Sequence, residues 1–89
     1  MKLLLFARLT KPGFSCDMWR AMFDSDRDMQ AKAIHVEHTI IGKVDDHTAM
    51  VVFDVFDPAM LAQIMADNAH RFDEAGFAHE VHVLSPLPH

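Results

Sequence analysis

Two short stretches concentrate the residues that could do chemistry: His35-Val36-Glu37-His38 and His79-Glu80-Val81-His82. Imidazole beside carboxylate is the composition of acid–base sites and of metal centres, because imidazole titrates near neutrality and both groups coordinate cations. Arg8, Asp54 and Trp19 add a guanidinium, a further carboxylate and an indole N–H. Spacing limits how these groups act together. Both stretches read as β-strands, where neighbouring side chains point to opposite faces, so Glu37 and His38 cannot share an ion on one face, whereas His35 and Glu37 can. The chain has a single cysteine and no helical His-x3-His pair, and no metal or other cofactor is expected. Solvated histidines on edge strands are the plain alternative. Cys16 falls at the start of a helix, where the dipole favours thiolate, yet no resolving cysteine or adjacent histidine makes it more than an idle thiol.

Four strands are needed to position these groups. Lys2 to Leu9 and Ala49 to Phe56 are nearly continuous apolar runs, whereas Ile34 to Ile41 and His79 to Leu84 alternate, with His and Glu at their polar positions. Between the first two strands, Thr10-Lys-Pro-Gly13 reads as a turn, Ser15 as a cap, and Trp19, Met22 and Phe23 as one apolar helix face. Ser25 with Asp28 predicts a short second helix running to about Ala33. Gly42 to Asp46 reads as a hairpin loop. Asp57-Pro58 opens a helix with Leu61, Ile64, Met65, Asn68 and Phe72 on one stripe and Gly76 as its stop. The resulting order, β-α-β-β-α-β, predicts an α+β, ferredoxin-like domain over residues 1–89, a four-stranded antiparallel sheet with helices on one face. Regular structure is expected to end at Ser85 to Pro88.

The two doubly apolar strands carry the strongest implication. A sheet packed on helices needs one apolar face, so the second face requires a cover, and in 89 residues the expected cover is another copy of the chain. The formal charge of −5, without a Lys/Arg run, argues against nucleic-acid and anionic-membrane partners. No segment approaches the roughly 20 apolar residues of a membrane span. The opening MKLLLFARL reads as a strand rather than a signal peptide, because Arg8 interrupts it and Lys11-Pro-Gly13 follows. The lone thiol fits a cytoplasmic location.

With Trp19, Phe23 and Asp24 on the first helix, Asp57 opening the second and Glu74-Ala75-Gly76 closing it, the chain resembles the dimeric α/β-barrel superfamily, and within it a small uncharacterised family of about this length. The resemblance implies a homodimeric barrel of two ferredoxin-like protomers, with the first and third strands central and the second and fourth at the edges. Superfamily relatives include cofactor-free monooxygenases, haem enzymes and lactone isomerases. The Asn and tryptophans of the monooxygenases have no counterparts here, and His70 is the nearest match to a haem histidine.

In that strand order, a hairpin centred on Asp45-Asp46 sets Glu37 opposite Asp54 and His35 opposite Phe56. The first and third strands, read as parallel, bring Arg8 level with Asp54. The expected site is therefore one polar row, Glu37–Asp54–Arg8–Glu80/His82, at one end of an apolar cavity between two sheets. His82, His35 and Asp54 are the catalytic candidates, and Arg8, Glu37, Glu80 and Trp19 the substrate-binding ones. A joint metal site of His35 with His82 would have to cross three strand spacings, roughly 14 Å. Three functions remain open on these residues: a small-molecule enzyme or binder for an apolar or aromatic ligand, a non-catalytic dimerisation module whose cavity is filled by its own side chains, and a haem or metal binder.

Overall fold

The local signals dictate most element starts. In the computed structural model, which describes residues 1–85, the first strand, β1 (Lys2–Leu9), leads through Gly13, whose φ of 87° demands glycine, into α1 (Cys16–Ser25). The Ser15 hydroxyl accepts the Met18 N–H at 3.2 Å and so caps that helix. Asp57 accepts the Met60 N–H at 3.0 Å at the start of α3 (Pro58–Glu74), with Pro58 in the first helical position. Gly76, at φ 83°, ends that helix; a Cβ there would stand 3.0 Å from the Phe14 ring. The remaining elements are α2 (Arg27–Gln30), a 3-10 turn (Val36–His38), β2 (Ile40–Asp45), β3 (Thr48–Asp54) and β4 (Phe77–Leu84). The expected end of regular structure lies, from Pro86 onward, outside the described residues.

The strand order is β2-β3-β1-β4, with every neighbouring pair antiparallel. This α+β arrangement is compatible with a ferredoxin-like fold and puts the two doubly apolar strands in the centre. Leu3, Leu5, Val51 and Phe53 are buried on one face, packed with Trp19 and Ile64 from the helices. None of the described helices is long and apolar enough to cross a membrane.

Three expectations are corrected. First, β1 and β3 are antiparallel: Arg8 lies opposite Thr48, and Lys2 opposite Asp54. The reason is topological, since a hairpin reverses β3 against β2, and a helical crossover that skips one position leaves β1 parallel to β2 rather than to β3. Second, Ile34 to Ile41 is not one strand. The tight hairpin is centred one residue further along than expected, on Asp46-His47, with the Asp45 carboxylate accepting the His47 N–H at 2.8 Å. Residues 42–45 therefore join the ladder. Ile34 bridges Val55 and Ile40 pairs with Val52, so a six-residue step faces a three-residue step, and the surplus winds into the turn at 36–38. Ile41 consequently shares the helix face with Val51, and Ile40 takes the other face. Third, α2 ends at Gln30 rather than Ala33, and the Ser25 hydroxyl donates to the Met22 carbonyl instead of capping it.

Candidate functional site

The residues of the expected polar row are brought together in two groups, one along the β4 side of the sheet and one at the Lys2–Asp54 end of β1 and β3. Among the described residues no element lies over the face of β1 and β3 that bears Leu4, Phe6, Met50 and Val52. By the strand register this open face runs in rows: Ile40, Val52, Leu4 and His82 in one, Gly42, Met50, Phe6 and Glu80 in the next. At its β4 side Arg8 donates to Glu80 at 2.6 Å, and His82 Nε2 lies 3.1 Å from the other Glu80 oxygen. The guanidinium sits 5.2 Å from the centroid of the Phe6 ring, and His82 meets the same ring edge-on at 5.9 Å. The hydrogen bond from Arg8 holds the Glu80 carboxyl below its ordinary range.

Asp54 lies at the other end. Lys2 Nζ approaches it at 3.4 Å and His38 Nδ1 at 3.6 Å. His35 stands 3.9 Å from a Glu37 oxygen and packs against Phe56 at 5.1 Å. Arg8 and Lys2 are six residues apart along one strand, roughly 20 Å, so Asp54 and Arg8 cannot hold one small substrate within a protomer. The antiparallel direction of β1 against β3 decides this. Among the described residues no three His, Cys, Asp or Glu side chains converge as a metal site. His70 is exposed and pairs with Glu74 at 2.8 Å.

The histidine that sequence reasoning passed over is His79. It lies on the helix face of β4, where the Trp19 indole N–H donates to its Nε2 at 3.1 Å and Phe72 packs edge-on at 4.6 Å. Accepting at Nε2 leaves the proton on Nδ1, and burial pushes the imidazole down to about 4, so the ring is neutral at pH 7. The available signal was its odd position in an alternating strand, which places it with Phe77 and Val81 rather than with Glu80 and His82. Trp19 is thereby an interior residue, 2% exposed.

His79, Trp19 and Asp26 border an apolar void of about 60 Å³ between helices and sheet. A void that holds benzene measures about 150 Å³, so this one has room for only a few atoms and reads as a packing gap. At its rim Arg71 Nη2 donates to both Asp26 oxygens, at 2.8 and 2.6 Å, while Nη1 donates to Asn68 at 3.0 Å. Asp26 is partly buried, with its side chain 16% exposed, and this pair ties the α1–α2 junction to α3. Arg71→Ala leaves that carboxylate without its partner and is expected to cost about 2 kcal/mol. Urea unfolding of the single and double variants with Asp26→Ala checks the coupling, and strict additivity would show the pair to be unimportant.

No family model, curated protein or solved structure matches this chain.

Proposed function

We propose that the chain works as a homodimer in which two open sheet faces pack against each other, as the resemblance to the dimeric α/β-barrel superfamily implies, and that the space between them binds a small apolar or aromatic molecule. The observation that carries this reading is the uncovered face itself: Leu4, Phe6, Met50 and Val52 form a continuous apolar centre, flanked by exposed Ile40. Such a patch, with a few polar groups at its margin, is the composition of a small-molecule site. Arg8 would orient a polar or anionic group of the ligand, and His82, its imidazole beside Glu80, would be the acid–base group if a reaction occurs. His35, Glu37 and Asp54 would serve the opposite end of the same face. A cytoplasmic setting suits the single cysteine.

Light scattering at micromolar concentration is expected to give a mass of at least two chains. Phe6→Asp, which puts a carboxylate in the centre of the apolar face, is expected to halve that mass. A wild-type protein running as one chain overturns the proposal. The bulk of Leu4, Phe6, Met50 and Val52 favours a second reading, a non-catalytic module whose interior is filled by these side chains. Native mass spectrometry with a panel of aromatic carboxylates separates the two, because the second reading predicts an assembly that takes up none.

A further inference from the structure

The two sheet edges are built differently. β2 is six residues long, carries Gly42 and Lys43, and has a register shift between Lys43 and Asp45. Short length, lysine and a bulge are the devices that keep an edge strand from pairing. β4 has none of them. It pairs with β1 without a register shift over all eight residues, contains no Lys, Pro or Gly, and among the described residues no strand lies on its outer side. Val81 and Val83 on its helix face are 44% and 63% exposed. They border an apolar groove of about 300 Å³ with Leu3, Leu5, Pro58 and Leu61.

We propose that β4 pairs antiparallel with β4 of a second copy about a two-fold axis at Val81, joining two four-stranded sheets into one. Complementarity of carboxylate and imidazole selects both the occupant and the register. With Val81 opposite Val81 of the second copy, Glu80 faces His82 of the second copy, and His82 faces its Glu80. A register shifted by two residues in one direction sets Glu80 against Glu80, and in the other His82 against His82. An imidazole N–H facing a carboxylate can donate to it, whereas two carboxylates facing each other repel, so of these three registers only the central one gives each Glu80 a complementary partner. Glu80 keeps its own Arg8 on the inner side and gains an imidazole on the outer side. On the helix face Val81 meets Val81 of the second copy beside the apolar groove, and Val83 faces its His79. This contact is independent of face-to-face packing, and the two together build a four-chain assembly.

Site-directed cross-linking tests the register. In a Cys16→Ser background, Val81→Cys places two thiols on directly opposite residues. Their Cα atoms are about 4.5–5.5 Å apart, within disulfide reach. Mild oxidation is expected to give a disulfide-linked dimer. Ala78→Cys in the same background puts its thiols roughly 20 Å apart and is expected to give none. Adding His82→Glu to the Val81→Cys protein is expected to lower the cross-linking rate about tenfold, whereas adding His82→Lys preserves it. Cross-linking should persist with Phe6→Asp, which separates this contact from the face-to-face one. Failure of the Val81→Cys protein to cross-link, equal cross-linking of the Ala78→Cys protein, or equal effects of the Glu and Lys variants overturns the proposal.

Discussion

Trp19→Ala is expected to cost about 3–5 kcal/mol, the largest single effect in this chain. The indole is one of the two largest fully buried side chains; it stacks at a tilt on Phe23, with centroids 5.1 Å apart, and satisfies His79. Its removal opens a cavity between α1 and the sheet and also leaves the imidazole acceptor without its donor. Against a typical domain stability of about 5–15 kcal/mol, that loss brings the protein to the edge of folding. Trp19→Phe keeps much of the bulk but not the N–H, and should cost about 1–2 kcal/mol. Urea denaturation followed by circular dichroism measures both; a loss below about 1 kcal/mol for the alanine variant would show that α1 repacks freely over the sheet.

The same contact makes stability depend on pH. Unfolded His79 takes up a proton near its ordinary value of 6.5, whereas the folded imidazole does so only near 4. Over that interval the unfolded chain binds more protons. The contribution of His79 is therefore complete above about pH 6.5 and is lost as the pH falls toward 4. The expected loss is about 2–3 kcal/mol, allowing for the partial exposure of the ring. Glu80 cannot mimic this effect: its carboxyl is lowered from an ordinary 4.5 by Arg8, so its contribution falls away only at and below that pH. His79→Gln, which keeps an acceptor for Trp19 but does not titrate, should flatten the profile between pH 6.5 and 4. An unchanged slope in that variant would assign the acid sensitivity elsewhere.

The second of these expectations falls on a residue that the sequence pattern presents as one member of a His-Glu-Val-His cluster, and the first on its hydrogen-bond donor. His82 looked the better acid–base candidate because it shares a strand face with Glu80, and it does lie beside Glu80 and Arg8 on the open face. The helix-side histidine was legible only as a position in the alternation. That it accepts the Trp19 N–H depends on where α1 crosses the sheet, a distance of 60 residues in sequence. The Asp26–Arg71 pair was illegible for the same reason, with 45 residues between partners that only the packing of α2 against α3 brings together. For His35, Glu37 and His38 the deciding contact is closer in sequence. Their composition suits a strand, but the tight Asp45–His47 turn moved the ladder C-terminally and left them as surplus chain wound into a turn.

By itself the sequence determined the class of the fold, the order of its elements, and which strands are central. Caps at Ser15 and Asp57, the glycines at 13 and 76, and the contrast between apolar and alternating strands are local chemistry, and local chemistry acts through neighbouring residues. The helix capped at Ser15 and the helix opened at Pro58 both follow from it. Strand direction, the one-residue choice between Ile40 and Ile41 for the open face, and hence the division of the polar residues into Arg8–Glu80–His82 along β4 and Lys2–His38–Asp54 at the far end of β1 from Arg8, follow from long-range pairing. The physical reason is that a strand displays its side chains with period two. A hairpin register that changes by one residue exchanges the two faces, and reversing a strand exchanges its two ends, while the composition of the strand stays the same.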